Sequence, residues 1–153
     1  ILFKDISPIL SDPDLFSLSI DLLTATAGDT KIDKVVGIDA RGFIFAAAVA
    51  DRLKAGFVPI RKKGKLPWAT RSMAYTLEYG EAVVEIHEDA VHPGVRILLV
   101  DDLLATGGTA AAALKLLNAF QVNIVSVSFL IELSSLHGRS LLNGAPITSL
   151  ITY

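Results

Sequence analysis

Residues 97–109 read ILLVDDLLATGGT, and this stretch carries the strongest structural signal in the sequence. Its four leading apolar residues predict a buried strand, and the alanine-rich pattern over residues 108–120 predicts a helix with one buried face. Gly107 and Gly108 between them allow the backbone to approach a ligand closely, and the first N–H groups of the helix have no partners within it. This order of strand, glycine turn and helix predicts an anion-binding turn, for which phosphate is the natural ligand.

Two adjacent carboxylates, Asp101 and Asp102, end the predicted strand at the edge where open α/β sheets bind ligands. Both can accept hydrogen bonds from sugar hydroxyls, while Thr106 and Thr109 add hydroxyl donors to the turn. The sequence contains neither the P-loop pattern nor the dinucleotide-binding G-x-G-x-x-G. It therefore favours a sugar phosphate as ligand; the alternative is a plain helix cap beside two solvated aspartates.

The rest of the chain repeats the alternation of strand and helix. Further buried strands are predicted at residues 34–39 (KVVGID), 56–61 (GFVPIR) and 123–130 (NIVSVSFL), the central strand covers residues 95–102 (VRILLVDD), and helices are predicted at residues 14–27, 43–54 and 108–120. Strands that alternate with helices indicate a parallel sheet with right-handed crossovers. The sequence predicts a single α/β domain over residues 1–153, with a parallel twisted sheet flanked by helices.

Residues 72–88 follow a different pattern, because apolar and polar residues alternate about a turn at Tyr79 and Gly80. This alternation predicts a β-hairpin. The preceding residues 62–71 (KKGKLPWATR) combine charge, glycine and proline without a hydrophobic period, so we expect a long surface loop. Together they predict a flap over residues 62–79 that projects from the domain.

Composition excludes several classes of function. A net charge of -2 argues against general nucleic-acid binding, which needs a basic face. The sequence has no cysteine, and its three separated histidines do not have the spacing of metal ligands. No apolar run is long enough to cross a bilayer, so we expect a cytoplasmic protein without a membrane partner. The chain begins at Ile1 rather than at methionine, and we expect residues upstream of it.

A second anion-binding turn is predicted where the strand at residues 34–39 ends. Asp39, Ala40, Arg41 and Gly42 place a cation at the start of a helix, although a solvated strand–helix corner is the alternative. Residues 61–65 (RKKGK) then concentrate four cations in a chain of negative net charge. A solvated loop is the common reading of such a run. Beside two phosphate-type turns we expect it to screen a pyrophosphate, with Lys62 and Lys65 as contacts.

These motifs together resemble the type I phosphoribosyltransferases. VDDLLATGGT resembles the signature by which that family binds phosphoribosyl pyrophosphate (PRPP), and ILFKDISPIL, GIDARGF, RKKGKLP, YTLEYG and IELSSLHGR match it in order along the chain. The match is nearest to purine-salvage members that act on adenine. The resemblance implies transfer of ribose 5-phosphate from PRPP to adenine, giving AMP and pyrophosphate. Other purines (hypoxanthine, guanine or xanthine) and a non-catalytic PRPP-sensing regulator remain alternatives.

The resemblance also assigns residues and partners. It implies Glu78, Asp101 and Asp102 as catalytic residues; Asp101, Asp102, Ala105, Thr106, Gly107, Gly108 and Thr109 at the phosphate and ribose; Asp39, Ala40, Arg41, Gly42, Lys62 and Lys65 at the pyrophosphate; Leu2, Phe3 and Lys4 in a small N-terminal hood at the adenine; and Glu78 and Tyr79 in the flap. Relatives often carry Ser or Thr at the position of Ala40 and Arg at that of Lys4. It further implies Mg²⁺ held mainly by substrate oxygens and water, with no direct protein ligand, and a homodimer.

Overall fold

The chain combines four helices with seven strands in a computed structural model, which describes residues 3–153. The helices are α1 (Ser7–Ser11), α2 (Pro13–Ala25), α3 (Gly42–Leu53) and α4 (Gly108–Asn118), and the strands are β1 (Lys34–Ile38), β2 (Gly56–Lys62), β3 (Thr70–Leu77), β4 (Gly80–His87), β5 (Arg96–Leu104), β6 (Asn123–Glu132) and β7 (Ile147–Thr152). Two 3₁₀ turns, Ser134–Leu136 and Gly138–Leu141, separate β6 from β7. No helix within the described residues is long and apolar enough to cross a membrane.

The strands form one seven-stranded sheet in the order β3-β4-β2-β1-β5-β6-β7. The pairs β1–β2, β1–β5, β5–β6 and β6–β7 are parallel, whereas β4 is antiparallel to both β2 and β3. β2, which follows β1 in the chain, lies on one side of β1, and β5 lies on its other side. The carboxyl ends of β1 and β5 therefore flank the kind of crevice where open α/β sheets bind ligands.

Both faces of the sheet are covered, as its apolar strands require. Leu98 and Val100 of β5 belong to an apolar cluster with residues of α2 and α3. Ile97 and Leu99 belong to a second cluster, which includes the buried face of α4. Each fully buried side chain of this size contributes about 1.5–3 kcal/mol. The prediction of a largely parallel α/β sheet flanked by helices is confirmed, and its strands end within a few residues of the predicted bounds.

The hairpin corrects one part of the prediction. It begins at Thr70 rather than at residue 72, and β4 pairs with β2 at Arg61↔Glu85 and Lys62↔Val84. The hairpin thus joins the main sheet at its base, and the loop before it spans residues 63–69 instead of 62–71. Lys62 at the end of β2 and Thr70 and Arg71 at the start of β3 were predicted as loop because they are polar. Polar residues are common in an antiparallel strand at the edge of a sheet, since such a strand can expose one face to water.

Candidate active site

A cavity of about 360 Å³ opens at the carboxyl ends of β1 and β5. Its wall comes from the turn after β1, the end of β2 and the segment from β5 into α4. The structure brings together in this wall the predicted residues Asp39, Ala40, Arg41, Lys62, Asp101, Asp102, Ala105, Thr106, Gly107, Gly108 and Thr109. Two separate sequence motifs therefore line one cavity.

The turn between β5 and α4 has the geometry of an anion site. Gly107, at the N-terminal end of α4, has φ of +88°, a conformation that L side chains rarely adopt, and no side chain caps the helix. The first N–H groups of α4 and the positive end of its dipole thus lie in the cavity wall. Thr109 Oγ1 lies 3.3 Å from the hydroxyl of Tyr75 on β3, while Thr106 is exposed.

Gly138 supports this turn from behind, a role that the sequence reading missed. A methyl group on Gly107 would lie 2.4 Å from the carbonyl oxygen of Gly138, and one on Gly138 would lie 2.3 Å from that of Ala105. The two backbones touch, so each position requires glycine. The available signal was a single glycine in SSLHGRS, which nothing local distinguishes from a glycine in an ordinary turn.

An ion pair holds the segment that carries Gly138. Arg139 donates from Nε to Glu132 Oε1 at 3.1 Å and from Nη2 to Glu132 Oε2 at 2.7 Å, and Ser149 Oγ donates to the same carboxylate at 2.7 Å. The guanidinium lowers the pKa of the buried Glu132 below its ordinary value. Arg139 is thereby fixed to the end of β6, beside the glycine that supports the turn before α4.

The paired aspartates have different surroundings. Asp102 is only 6% exposed, and its Oδ2 accepts a hydrogen bond from Arg41 Nε at 2.6 Å, which raises the pKa of the guanidinium. Asp101 Oδ1 accepts the backbone N–H of Asp102 at 2.9 Å. A methyl group on Gly42 would lie 2.5 Å from that same oxygen, so glycine lets the start of α3 approach it. Arg41, assigned by resemblance to pyrophosphate, bonds here to an aspartate.

Burial raises the pKa of Asp101 well above its ordinary value, and the negative charge of Asp102 adds to this effect. The residue as a whole is half-buried, but its carboxyl group is enclosed between the start of α3 and its neighbour. The cavity thus contains one carboxyl group whose ionisation is opposed and one that is paired with a cation. Such perturbed groups cluster at functional sites.

Replacing Asp101 with asparagine should raise the thermal unfolding midpoint at neutral pH. A raised folded-state pKa means that folded Asp101 binds its proton more tightly than the unfolded chain does, so stability falls as pH rises from 3.8 through the raised pKa. Asparagine stays neutral and keeps the oxygen that accepts the Asp102 N–H. Unfolding scans from about pH 4 to about pH 8 should show a gain that grows with pH. A variant less stable than wild type at neutral pH contradicts this.

The turn after β1 forms the opposite wall. The peptide bond between Asp39 and Ala40 is cis. Asp39 Oδ2 accepts a hydrogen bond from Arg61 Nε at 3.2 Å, so one cation of the RKKGK run is bound to this turn. Lys62 lines the cavity, whereas Lys65 is exposed in the loop of residues 63–69 and does not line it.

The flap and hood residues lie outside the cavity wall. Glu78 and Tyr79 form the exposed turn of the hairpin, and Tyr79 is 89% exposed. Phe3 is also exposed, and Lys4 Nζ lies 4.5 Å from the centre of the Tyr153 ring, just after β7. The N-terminal segment therefore lies at the carboxyl ends of the parallel strands, as the aspartates do. Leu2 falls outside the described residues, and the roles assigned to all these positions stay predictions.

Comparison with known proteins agrees with this geometry. Residues 8–140 match the phosphoribosyl transferase domain. The chain is 56% identical over 151 residues to an adenine phosphoribosyltransferase of Acidothermus cellulolyticus, covering 99% of this chain and 85% of that one. The crystal structure of adenine phosphoribosyltransferase from Thermoanaerobacter pseudethanolicus superimposes with a TM-score of 0.96 at 49% identity, covering 100% of this chain and 89% of that one.

A third relative was crystallised with ligands. Adenine phosphoribosyltransferase from Saccharomyces cerevisiae, complexed with D-2,5-dideoxy-2,5-imino-altritol 1,6-bisphosphate and adenine, superimposes with a TM-score of 0.92 at 43% identity. The superposition covers 98% of this chain and 87% of the Saccharomyces cerevisiae chain. On these matches, and on the cavity that the family's motifs line, the chain belongs to the phosphoribosyltransferase family, among the adenine phosphoribosyltransferases.

Proposed function

We propose that the chain transfers the ribose 5-phosphate group of PRPP to adenine, with AMP and pyrophosphate as products. The observation that carries this proposal is the cavity in which an uncapped glycine turn and two aspartates face a second turn with a cation. Phosphate, ribose and pyrophosphate of PRPP require these three kinds of partner. The relatives, which are named for adenine, supply the choice of base.

The substrate groups are assigned as follows. The 5-phosphate binds the backbone of Ala105, Thr106, Gly107, Gly108 and Thr109; the ribose hydroxyls donate to Asp101 and Asp102; and the pyrophosphate binds Asp39, Ala40, Arg41 and Gly42 together with Lys62 and Lys65. Uncapped N–H groups favour the phosphate. Asp102 exchanges part of its contact with Arg41 for a ribose hydroxyl, which leaves the guanidinium closer to the leaving group.

In the reaction the bond between the anomeric carbon and pyrophosphate breaks, a bond to an adenine ring nitrogen forms, and that nitrogen loses its proton. The transition state resembles an oxocarbenium ion, so catalysis consists of positioning and of stabilising spread charge. Glu78 is the group proposed to handle the proton, which requires the exposed hairpin turn to fold over the cavity. Phe3 stacks on the adenine and Leu2 and Lys4 bind beside it, which together set the base specificity.

A magnesium ion is part of this proposal. Among residues 3–153 no group of three or more His, Cys, Asp or Glu side chains could enclose a metal ion. The cavity offers side-chain oxygens from Asp101 and Asp102, polar groups of the hard type that suit a hydrated Mg²⁺ ion. When bound, Mg²⁺ would supply positive charge at the leaving group. Asp101 and Asp102 would hold it through substrate hydroxyls and water.

Product analysis tests the proposal against its main alternative. Incubation with adenine, PRPP and Mg²⁺ should yield AMP and pyrophosphate in equal amounts, measured by chromatography. A PRPP-sensing regulator would bind PRPP without making AMP. Binding without turnover, in protein that melts cooperatively, would thus favour the regulator.

The loop of residues 63–69 should respond to PRPP, and Trp68, the single tryptophan of the sequence, reports it. Its side chain is 68% exposed, so closure over the pyrophosphate changes its surroundings. Trp68 emission should change saturably with PRPP and Mg²⁺, and replacing Lys65 with alanine should weaken the response because Lys65 draws the loop toward the leaving group. An unchanged spectrum, in protein shown by calorimetry to bind PRPP, would contradict closure around Trp68.

We also propose a homodimer. Leu15, Leu18 and Leu22 lie on one face of α2 and are all exposed, as is Ile44 on the neighbouring α3. A second copy of the chain could cover this apolar face, and sedimentation measures the mass that decides it. The cytoplasmic location stays a prediction.

A further inference from the structure

Glu85 is a buried carboxylate in the most basic part of the molecule. It lies on β4 opposite Arg61 and is only 7% exposed. The run Arg61–Lys65 passes beside it and supplies the cations assigned to pyrophosphate. A buried negative charge here weakens the attraction for an anion, so its presence needs another explanation.

The hydrogen bonds of Glu85 supply that explanation. Oε1 accepts the backbone N–H of Gly64 at 2.6 Å, and Oε2 accepts the hydroxyl of Thr70 at 2.5 Å and that of Ser72 at 3.2 Å. Gly64 stands near the start of the loop of residues 63–69, and Thr70 directly follows it. One carboxylate therefore fastens both ends of the loop that carries Lys65.

We propose that Glu85 is a positioning residue for the pyrophosphate-binding loop: it fixes both ends of the loop, so that fewer conformations compete with closure over the substrate. Fixing both ends removes part of the conformational entropy that the loop would otherwise lose on binding. The hydrogen bonds lower the pKa of Glu85, so the carboxylate keeps its charge throughout the neutral range. This proposal rests on the proposed function, because the loop is assigned to pyrophosphate there.

Replacing Glu85 with glutamine tests the proposal, since the amide keeps the shape of the side chain but lacks the charge that strengthens the hydrogen bonds from both ends of the loop. The KM for PRPP should rise about 10-fold or more, as hydrogen bonds to a charged group are lost. The KM for adenine and kcat should stay within about twofold, because the phosphate and base sites are intact. Trp68 anisotropy without ligand should fall as the loop gains freedom.

Asp33→Asn is the matched control. Asp33 also accepts three hydrogen bonds, all from Arg96. It directly precedes β1, however, and so lies at the end of that strand away from the cavity. Its loss should lower the melting temperature while leaving both KM values and Trp68 anisotropy unchanged. If Glu85→Gln shifts the two KM values equally, or matches Asp33→Asn in every readout, Glu85 only stabilises the sheet and the proposal is overturned.

Thr70→Val provides a second test that keeps the carboxylate and removes one contact. It should change the KM for PRPP and the anisotropy in the same direction by a smaller factor; wild-type values for both would overturn the proposal even if Glu85→Gln failed to fold. The anisotropy of Trp68 in the unliganded proteins measures how ordered the loop is, and it does so without any assay of turnover. If the wild-type protein makes no AMP, the proposed function is refuted. If Trp68 anisotropy nevertheless falls in both Glu85→Gln and Thr70→Val, the role of Glu85 in ordering the loop is still supported.

Discussion

Asp102→Asn should lower turnover by about 100- to 1,000-fold while the protein stays folded, as expected for loss of one preorganised electrostatic contact. Asparagine keeps the shape of the side chain but not the charge that polarises the ribose hydroxyls. It also leaves Arg41 without the carboxylate that now accepts its Nε at 2.6 Å. Steady-state kcat, with circular dichroism to confirm folding, measures the effect.

Asp33→Asn again serves as the control, because it breaks an aspartate–arginine pair away from the cavity. Its kcat should remain near wild type even if its melting temperature falls. Turnover close to wild type in folded Asp102→Asn would contradict the role of that carboxylate and leave its pairing with Arg41 as a purely structural contact.

Gly107→Val should reduce PRPP affinity to below about one hundredth of the wild-type value. Two costs combine at this position. The backbone φ of +88° disfavours a β-branched residue, and even a single methyl group would lie 2.4 Å from the Gly138 carbonyl oxygen. The turn must therefore move away from the position in which its N–H groups meet a phosphate. Calorimetry should still detect adenine binding.

Gly94→Val separates the two costs. Gly94 has a similar φ of +81°, but an added methyl group there would meet nothing within 4 Å. This variant should lose stability through backbone strain and still bind PRPP. Equal PRPP affinity in wild type and Gly107→Val would show that the turn is a helix cap and does not bind phosphate.

Local signals made residues 97–109 predictable. A strand buried on both faces and a glycine turn before a helix can each be recognised from consecutive residues. The structure places both next to the cavity. The turn at Asp39 was predicted in the same way, and it too lines the cavity. Contacts between distant residues carry no such signal. Arg41 pairs with Asp102 across 61 positions, and the sequence indicated only that each was charged.

The same reason explains the features that were missed. Gly138 matters because it touches Gly107, and Glu85 because it accepts from both ends of a loop; each contact exists only after the sheet has formed. The pairing of the hairpin with β2 was missed because residues 62–71, which connect the two, have no apolar period. β7 was missed because it has only six residues and its apolar residues Ile147, Leu150 and Ile151 do not alternate regularly with polar ones.

The specificity constant kcat/KM for competing bases tests the central proposal most directly. With saturating PRPP and Mg²⁺, kcat/KM for adenine should exceed that for hypoxanthine, guanine and xanthine by at least about 100-fold, since a site that pairs with the base edge leaves polar groups unpaired with the wrong purine. A constant for any of those bases equal to or above that for adenine, or no nucleotide formed from any purine, would contradict the account.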